Sequence, residues 1–350
     1  MRRPSCLFLL CLLLCHAATA QAPLQEDRFG ASAHLGSFIT KMSKAELAKD
    51  AYSFLLQADW SRRSRYAPGT FLGASLLHGA SGGRQYLGTV TAAFAFGDAP
   101  LAGSGWYRLR ARLALGLGWI EKPYDPVTNH KNTLLGSHLN AAIQASLYQQ
   151  VRLGRHWSWN TGLSFLHLSN GLSTLPNLGL NIPCIYTGLV YRRTGAPLQA
   201  RTPPFPARRD QFSAWASLGL KQWPLVNSPR TVTQAFSGEW SRKLSGNGRW
   251  GAVLHVFHDP TVISPNDTVF HQPEAGGWQA GAGAHYAVVI GRWEVPLQAG
   301  VYAWNPRDAN RVYQILGVRY RVARHWLAGI HLKTHMGKAD YFHAGIGYQW

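Results

Sequence analysis

Residues 106–118 read WYRLRARLALGLG, and their alternation decides the fold. Successive side chains of a β-strand point to opposite faces. Tyr107, Leu109, Ala111, Leu113, Leu115 and Leu117 fall on one face, with Arg108, Arg110, Arg112, Ala114 and Gly116 on the other. In a soluble sandwich the arginine face would be solvated. In a membrane barrel the arginines line the lumen and the leucines meet lipid. Residues 139–150 repeat the pattern, with Leu139, Ala141, Ile143, Ala145 and Leu147 against Asn140, Gln144, Ser146 and Gln150. Residues 311–322 do so again, with Val312, Leu316, Val318 and Tyr320 against Arg311, Arg319 and Arg321.

Both ends of the chain favour the membrane alternative. The first twenty residues, MRRPSCLFLLCLLLCHAATA, have the form of a secretory signal peptide. Arg2 and Arg3 are its charged start, a short apolar run follows, and Ala17 to Ala20 offer small residues for cleavage. Cleavage would remove three of the four cysteines and leave Cys184, so no internal disulfide is expected. The other end, YFHAGIGYQW, alternates and stops on Trp350. Such a last strand resembles the signal read by the barrel-assembly machinery of bacterial outer membranes.

Composition agrees. Charged residues are 15%, while Gly (36), Trp (14) and Tyr (14) are plentiful, which suits short twisted strands with interfacial aromatics. No run after residue 20 has the eighteen apolar residues of a helical span. The formal charge is +19. In a cytosolic protein that would suggest nucleic acid. An exported barrel meets other polyanions, the phosphorylated lipids of the outer membrane, and no nucleic-acid partner is expected. Sixteen candidate strands can be placed between residues 30 and 350. The expectation is an all-β, antiparallel outer-membrane β-barrel of about 16 strands (12–16), one barrel over residues 21–350. Short turns (152–155, 243–247, 290–291, 323–324) fall on one side and longer loops (120–133, 260–275) on the other. The Pro-rich basic stretch PLQARTPPFPARR (197–209) breaks that asymmetry. No internal repeat stands out.

One stretch suggests chemistry: FLHLSNGLSTLPNLGLNIP, residues 165–183. The strand before it puts Trp157, Trp159, Thr161, Leu163, Phe165, His167 and Ser169 on one face, and the two tryptophans make that the lipid face. Period-two spacing brings His167 and Ser169 to one side, within the reach of a base and its nucleophile. The bland alternative is a strand ending in polar residues at headgroup level. Other histidines suggest less. His255 and His258 point to opposite faces, and His331, Lys333, His335 and His343 are expected to line the lumen. No metal or other cofactor is expected, and no G-x-S-x-G elbow, P-loop or C-x-x-C is present.

The motif H-L-S-N-G-L followed by P-N-L-G (His167, Ser169, Asn170, Gly171, Pro176, Asn177 and Gly179) resembles the PagL-type lipid A 3-O-deacylases, outer-membrane barrels whose longer members are the acyloxyacyl hydrolases. GSHLNAAIQASLY (136–148) and GLNIPCIYTGLVYR (179–192) are similar to strands flanking that motif, so the resemblance covers roughly 130–192. It implies an esterase that removes a 3-hydroxyacyl chain from lipid A of lipopolysaccharide, with Ser169 as nucleophile and His167 as base. Asn170, Asn177 and the backbone near Gly171 would be candidates for the oxyanion site. Where small members of the family carry an orienting glutamate, this chain has Asn181, and no Asp or Glu occurs between Asp125 and Asp210. The rival reading is a passive porin or a catalytically inactive structural barrel.

Overall fold

The computed structural model describes residues 24–40, 48–197, 208–244, 246–262, 276–306, 311–336 and 338–350. The expected signal peptide lies outside them. Among the described residues sixteen antiparallel strands are present. The first eight are β1 (Leu24–Gly36), β2 (Ser53–Arg63), β3 (Phe71–Ala80), β4 (Thr89–Ala102), β5 (Tyr107–Ile120), β6 (Leu139–Arg152), β7 (Trp157–Ser169) and β8 (Leu180–Pro197). The second eight are β9 (Asp210–Gln222), β10 (Arg230–Lys243), β11 (Gly248–His258), β12 (Trp278–Ile290), β13 (Trp293–Trp304), β14 (Val312–Arg321), β15 (Trp326–His335) and β16 (Lys338–Gln349).

The strands and their faces are those expected from the alternation, but their closure is not. The sequence suggests one barrel. The structure forms two, β1–β8 and β9–β16, each closed on itself. The first closes where β1 pairs with β8 (Gly30 opposite Val190), and the second where β16 pairs with β9 (Ile346 opposite Ala216). The basic stretch 197–209, the one long connection on the wrong side of a single barrel, is the segment between the two. A period-two pattern fixes the faces of a strand and leaves open which edge strand pairs with which.

Eight strands enclose a lumen that side chains can fill, and both lumens are filled. In the first, Arg110 Nε meets Asp98 at 2.6 Å, Arg112 Nη1 meets Asp59 at 2.8 Å, and Tyr148 also donates to Asp98. Gln144 Nε2 donates to Gln57 Oε1 at 2.7 Å across the same interior. In the second, Arg319 joins Glu239 (2.6 Å) and Glu294 (2.9 Å), while Lys221 sits between Asp259 and Asp340, each at 2.6 Å. His331, Lys333 and His343 are buried there, as their face predicts, and His255 is buried while His258 is only half-buried. Arg28, Asp59 and Tyr148 line one cavity and His255, Arg319 and His331 another, each of about 10 Å³, room for a single water. The lipid faces carry the exposed leucines, among them Leu113, Leu117, Leu147 and Leu163 in the first barrel and Leu218 and Leu254 in the second.

The division into two eights also exposes a repeat that the sequence reading passed over. Arg155-His156-Trp157 opens β7, and Arg324-His325-Trp326 opens β15. In the first barrel His156 Nδ1–H donates to the carbonyl of Arg192 (3.2 Å), its ring stacks on Tyr191, and Trp157 meets Tyr191 edge-on. In the second, His325 Nδ1–H donates to the carbonyl of Gln349 (2.8 Å), its ring stacks on Tyr348, and Trp326 meets Tyr348 edge-on. The same histidine and tryptophan build the same corner one strand before the end of each barrel.

Candidate active site

β7 starts from the short turn 153–156, and its alternation holds to its far end. Trp157, Trp159, Leu163 and Phe165 are exposed, and Ser158, Asn160, Ser164, Leu166 and Leu168 are buried towards the lumen. His167 continues the outward face and is half-buried. Ser169 shares that parity as the last residue of the strand, yet it is only 5% exposed. The pair is therefore on the outward wall and sheltered.

The pairing of β7 with β8 sets His167 directly opposite Asn181. Side chains of such a pair are near neighbours, and His167 Nδ1–H donates to Asn181 Oδ1 at 2.7 Å. An amide oxygen only accepts, so this bond places the ring proton on Nδ1 and leaves Nε2 as the acceptor. Asn181 is itself fixed, because its backbone carbonyl takes the Ile39 N–H at 2.9 Å. The position carrying an acid in the resemblance thus carries an orienting amide, which sets the tautomer but supplies no negative charge.

Gly179 forms the other wall of the ring. Its N–H donates to the Leu134 carbonyl at 3.0 Å, anchoring it to the β5–β6 loop. Its φ is +78°, and a Cβ built there would lie 3.0 Å from His167 Cε1. Glycine is needed on both counts: for the left-handed backbone and for close approach to the imidazole. The resemblance includes Gly179 in its motif, but nothing in the sequence shows that it packs on the histidine.

Residues 170–177 cluster with the second compact unit, whereas Ser169, Gly179 and Asn181 belong to the first. Asn170 to Ser173 form a tight turn, with Gly171 (φ 60°) and Leu172 (φ 57°) both left-handed and Ser173 N–H on the Asn170 carbonyl at 3.3 Å. Asn170 N–H donates to Asn177 Oδ1 at 3.1 Å, and Asn170 Nδ2 to the Thr174 carbonyl at 2.8 Å. Further along, Leu175 N–H donates to Gln222 Oε1 at 2.6 Å, and a Cβ on Gly171 would clash with the Phe342 ring. The structure thus brings His167 to Asn181, and Asn170 to Asn177. In this conformation the Asn170 amide and Asn177 Oδ1 hold the turn together.

Among the described residues, one group has the composition of a metal site: Glu239, His285 and Glu294, with ligand atoms within 4.8 Å of one another in the second lumen. The Arg319 guanidinium already bonds both carboxylates, and a cation would have to displace it.

Two family models match. The lipid A 3-O-deacylase (PagL) model matches residues 51–189, and the acyloxyacyl hydrolase C-terminal domain model matches residues 211–350. No curated protein matches the chain. Among solved structures, the search finds the toluene transporter TodX of Pseudomonas putida at 8% identity, covering 93% of this chain and 88% of that one, with a TM-score of 0.18. It also finds a mutant porin of Rh. blastica at 8% identity, covering 93% and 100%, with a TM-score of 0.19. The β domain of the Bordetella autotransporter BrkA follows at 12% identity, covering 92% and 98%, with a TM-score of 0.25. Scores this low decide nothing about the present chain. The family models do: the two stretches take up most of the chain, one on each barrel, and the protein belongs to the lipid A 3-O-deacylase (PagL) and acyloxyacyl hydrolase family of outer-membrane β-barrels.

Proposed function

We propose that the first barrel is a lipid A esterase, which releases an ester-linked 3-hydroxyacyl chain with Ser169 as nucleophile, His167 as general base and Asn181 as orienting group. The observation that carries the reading is the 2.7 Å bond from His167 Nδ1 to Asn181. It leaves Nε2 as the acceptor on a wall whose other side chains are made for lipid.

As Ser169 Oγ attacks the ester carbonyl, its proton passes to His167 Nε2, and the carbonyl oxygen becomes an oxyanion. Asn170, Asn177 and the backbone at Gly171 are the candidate donors to it, each amide donor being worth about 3 kcal/mol. Collapse expels the sugar hydroxyl, which takes its proton from the imidazolium. Water, deprotonated by His167, then releases the hydroxy acid from the serine. The substrate's acyl chains would lie along the exposed leucines of the wall. A cleavable signal peptide and assembly through the last strand, ending at Trp350, complete the proposed route to the membrane.

The test is mass spectrometry of lipid A from cells with and without the protein. Loss of one 3-hydroxyacyl mass is expected with the wild type and not with Ser169→Ala or His167→Ala, while all three migrate as heat-modifiable barrels in the outer-membrane fraction. Full activity of Ser169→Ala would refute the mechanism. Unchanged lipid A with the wild type would leave the inactive structural barrel, the alternative that an amide at position 181 favours.

A further inference from the structure

The far end of the first barrel from His167, where the strands meet in short turns, carries charge that the proposed esterase does not use. Five strands bring charged side chains into its mouth. They are Glu26 from β1, Arg63 from β2, Arg108 from β5, Arg152 from β6 and Arg192 from β8, all on the lumenal parity of their strands. Arg108 lies in the field of Arg110, Arg152 and Arg63, and Arg192 in that of Arg152, Arg108 and Arg63, with Glu26 opposing at both. Glu26 is the one carboxylate on this ring among the described residues, and it is already committed. Its Oε1 takes Arg28 at 2.7 Å and its Oε2 takes Arg63. Asp98, one layer deeper, is held by Arg110 and Arg112.

Arg108, Arg152 and Arg192 form no ion pair among the described residues. Arg192 is 6% exposed. Its Nη2 is spent on the carbonyls of Gly154 and Arg155, while its Nε is buried without a partner. Arg152 is exposed at the rim. The equivalent mouth of the second barrel is different. There Arg249 donates to the carbonyls of Arg208, Arg209 and Ser241, and Arg321 donates to the Arg324 carbonyl and to Gln349 Oε1. Like charges gathered in a partly desolvated mouth repel, and an oligovalent anion relieves that repulsion while filling the free guanidinium forks.

We propose that the short-turn mouth of the first barrel is a phosphate-binding site, in which Arg63, Arg108, Arg152 and Arg192 receive a phosphate group carried by a phospholipid headgroup or by free phosphate. The site is separate from the esterase residues and stands or falls without them.

The experiment uses the full-length protein in zwitterionic detergent, titrated calorimetrically in two arms, inorganic phosphate and phosphatidylglycerol doped into the micelles. Saturable binding is expected in at least one arm, and the arm that responds identifies the source. Arg108→Gln and Arg152→Gln are each expected to weaken binding about tenfold, as loss of a charge-assisted fork should. Arg84→Gln, at the opposite end of the same barrel, and Ser169→Ala are expected to leave it unchanged. Heat-modifiable migration checks that each variant is folded, and the wild-type titration tests the site whether or not a variant folds. No saturable binding in either arm would overturn the proposal. So would equal binding by wild type and both arginine variants, or an equal loss in Arg84→Gln, which would reduce the effect to general charge attraction.

Discussion

At the scale of the residue, the site turns on what stands beside His167. Asn181 accepts one hydrogen bond from it. A neutral bond of this kind is worth about 1 kcal/mol net, so Asn181→Ala should lower kcat by about fivefold to tenfold, with little change in KM or in melting. Asn181→Glu would add a charge that favours the imidazolium, by about 1.4 kcal/mol for each unit of pKa gained, and should hold or raise kcat. Steady-state kinetics on lipid A in micelles would show both, and if neither substitution changes kcat, Asn181 orients nothing. Gly179 gives a second expectation. A methyl there meets His167 Cε1 at 3.0 Å on a left-handed backbone, which costs about 1–2 kcal/mol. Gly179→Ala should therefore displace the imidazole and lower kcat more than it raises KM. A variant with wild-type kcat would mean that the ring is positioned without that wall.

At the scale of the element, β7 is a lipid-facing strand whose last outward positions turn polar, and the β5–β6 loop buttresses it through Leu134 and Gly179. That loop is ordered by its own polar groups. Asn129 Nδ2 donates to the Tyr86 carbonyl at 2.9 Å and Asn132 Nδ2 to the Lys122 carbonyl at 2.7 Å. Asp125 Oδ1 accepts the Thr128 N–H (2.7 Å), the Thr128 hydroxyl (2.9 Å) and the Val127 N–H (2.9 Å). These bonds, those from Thr128 foremost, hold the Asp125 carboxyl below its ordinary range. A depressed carboxyl contributes stability that is complete above its unfolded pKa and is lost as pH falls through the lower folded value. The turn should thus stay ordered below the usual carboxylate range and loosen only under stronger acid. Amide hydrogen exchange at Thr128 across pH would follow this, and in Asp125→Asn the acid transition should vanish.

At the scale of the molecule, side chains reach across both lumens. Arg112 on β5 reaches Asp59 on β2 and Gln144 on β6 reaches Gln57 on β2 across the first lumen, and Arg319 on β14 reaches Glu239 on β10 across the second. Planar bilayers containing the pure protein should show no steady conductance, and porin-like steps would contradict the packed lumens. Breaking a plug should also cost stability. Glu239→Leu leaves a buried Arg319 with half its partners, a change expected to destabilise by about 3–5 kcal/mol and to lower the temperature at which the folded band shifts on gels. The two barrels share the Arg-His-Trp corner but not the dyad. Counted from Trp157 and Trp326, the places of His167 and Ser169 fall at Met336 and Lys338. The second barrel keeps the architecture of the first without its candidate chemistry.

The sequence alone determined the strands and their faces. Side-chain direction along a strand is local, so WYRLRARLALGLG is enough to send its arginines inward and its leucines outward. It also put His167 and Ser169 on one face of one strand, because a spacing of two is local as well. The repeated Arg-His-Trp was legible but lay 169 residues apart with no strand count to align it. Only the tertiary structure decided that β8 returns to β1 and does not continue to β9, since edge pairing joins residues far apart along the chain and the alternating pattern suits one closure as well as the other. It decided too that Asn181 bonds His167, that Gly179 packs on the ring, and that four arginines from four strands come to one mouth. Each of these depends on register across strands, which no single stretch of sequence contains.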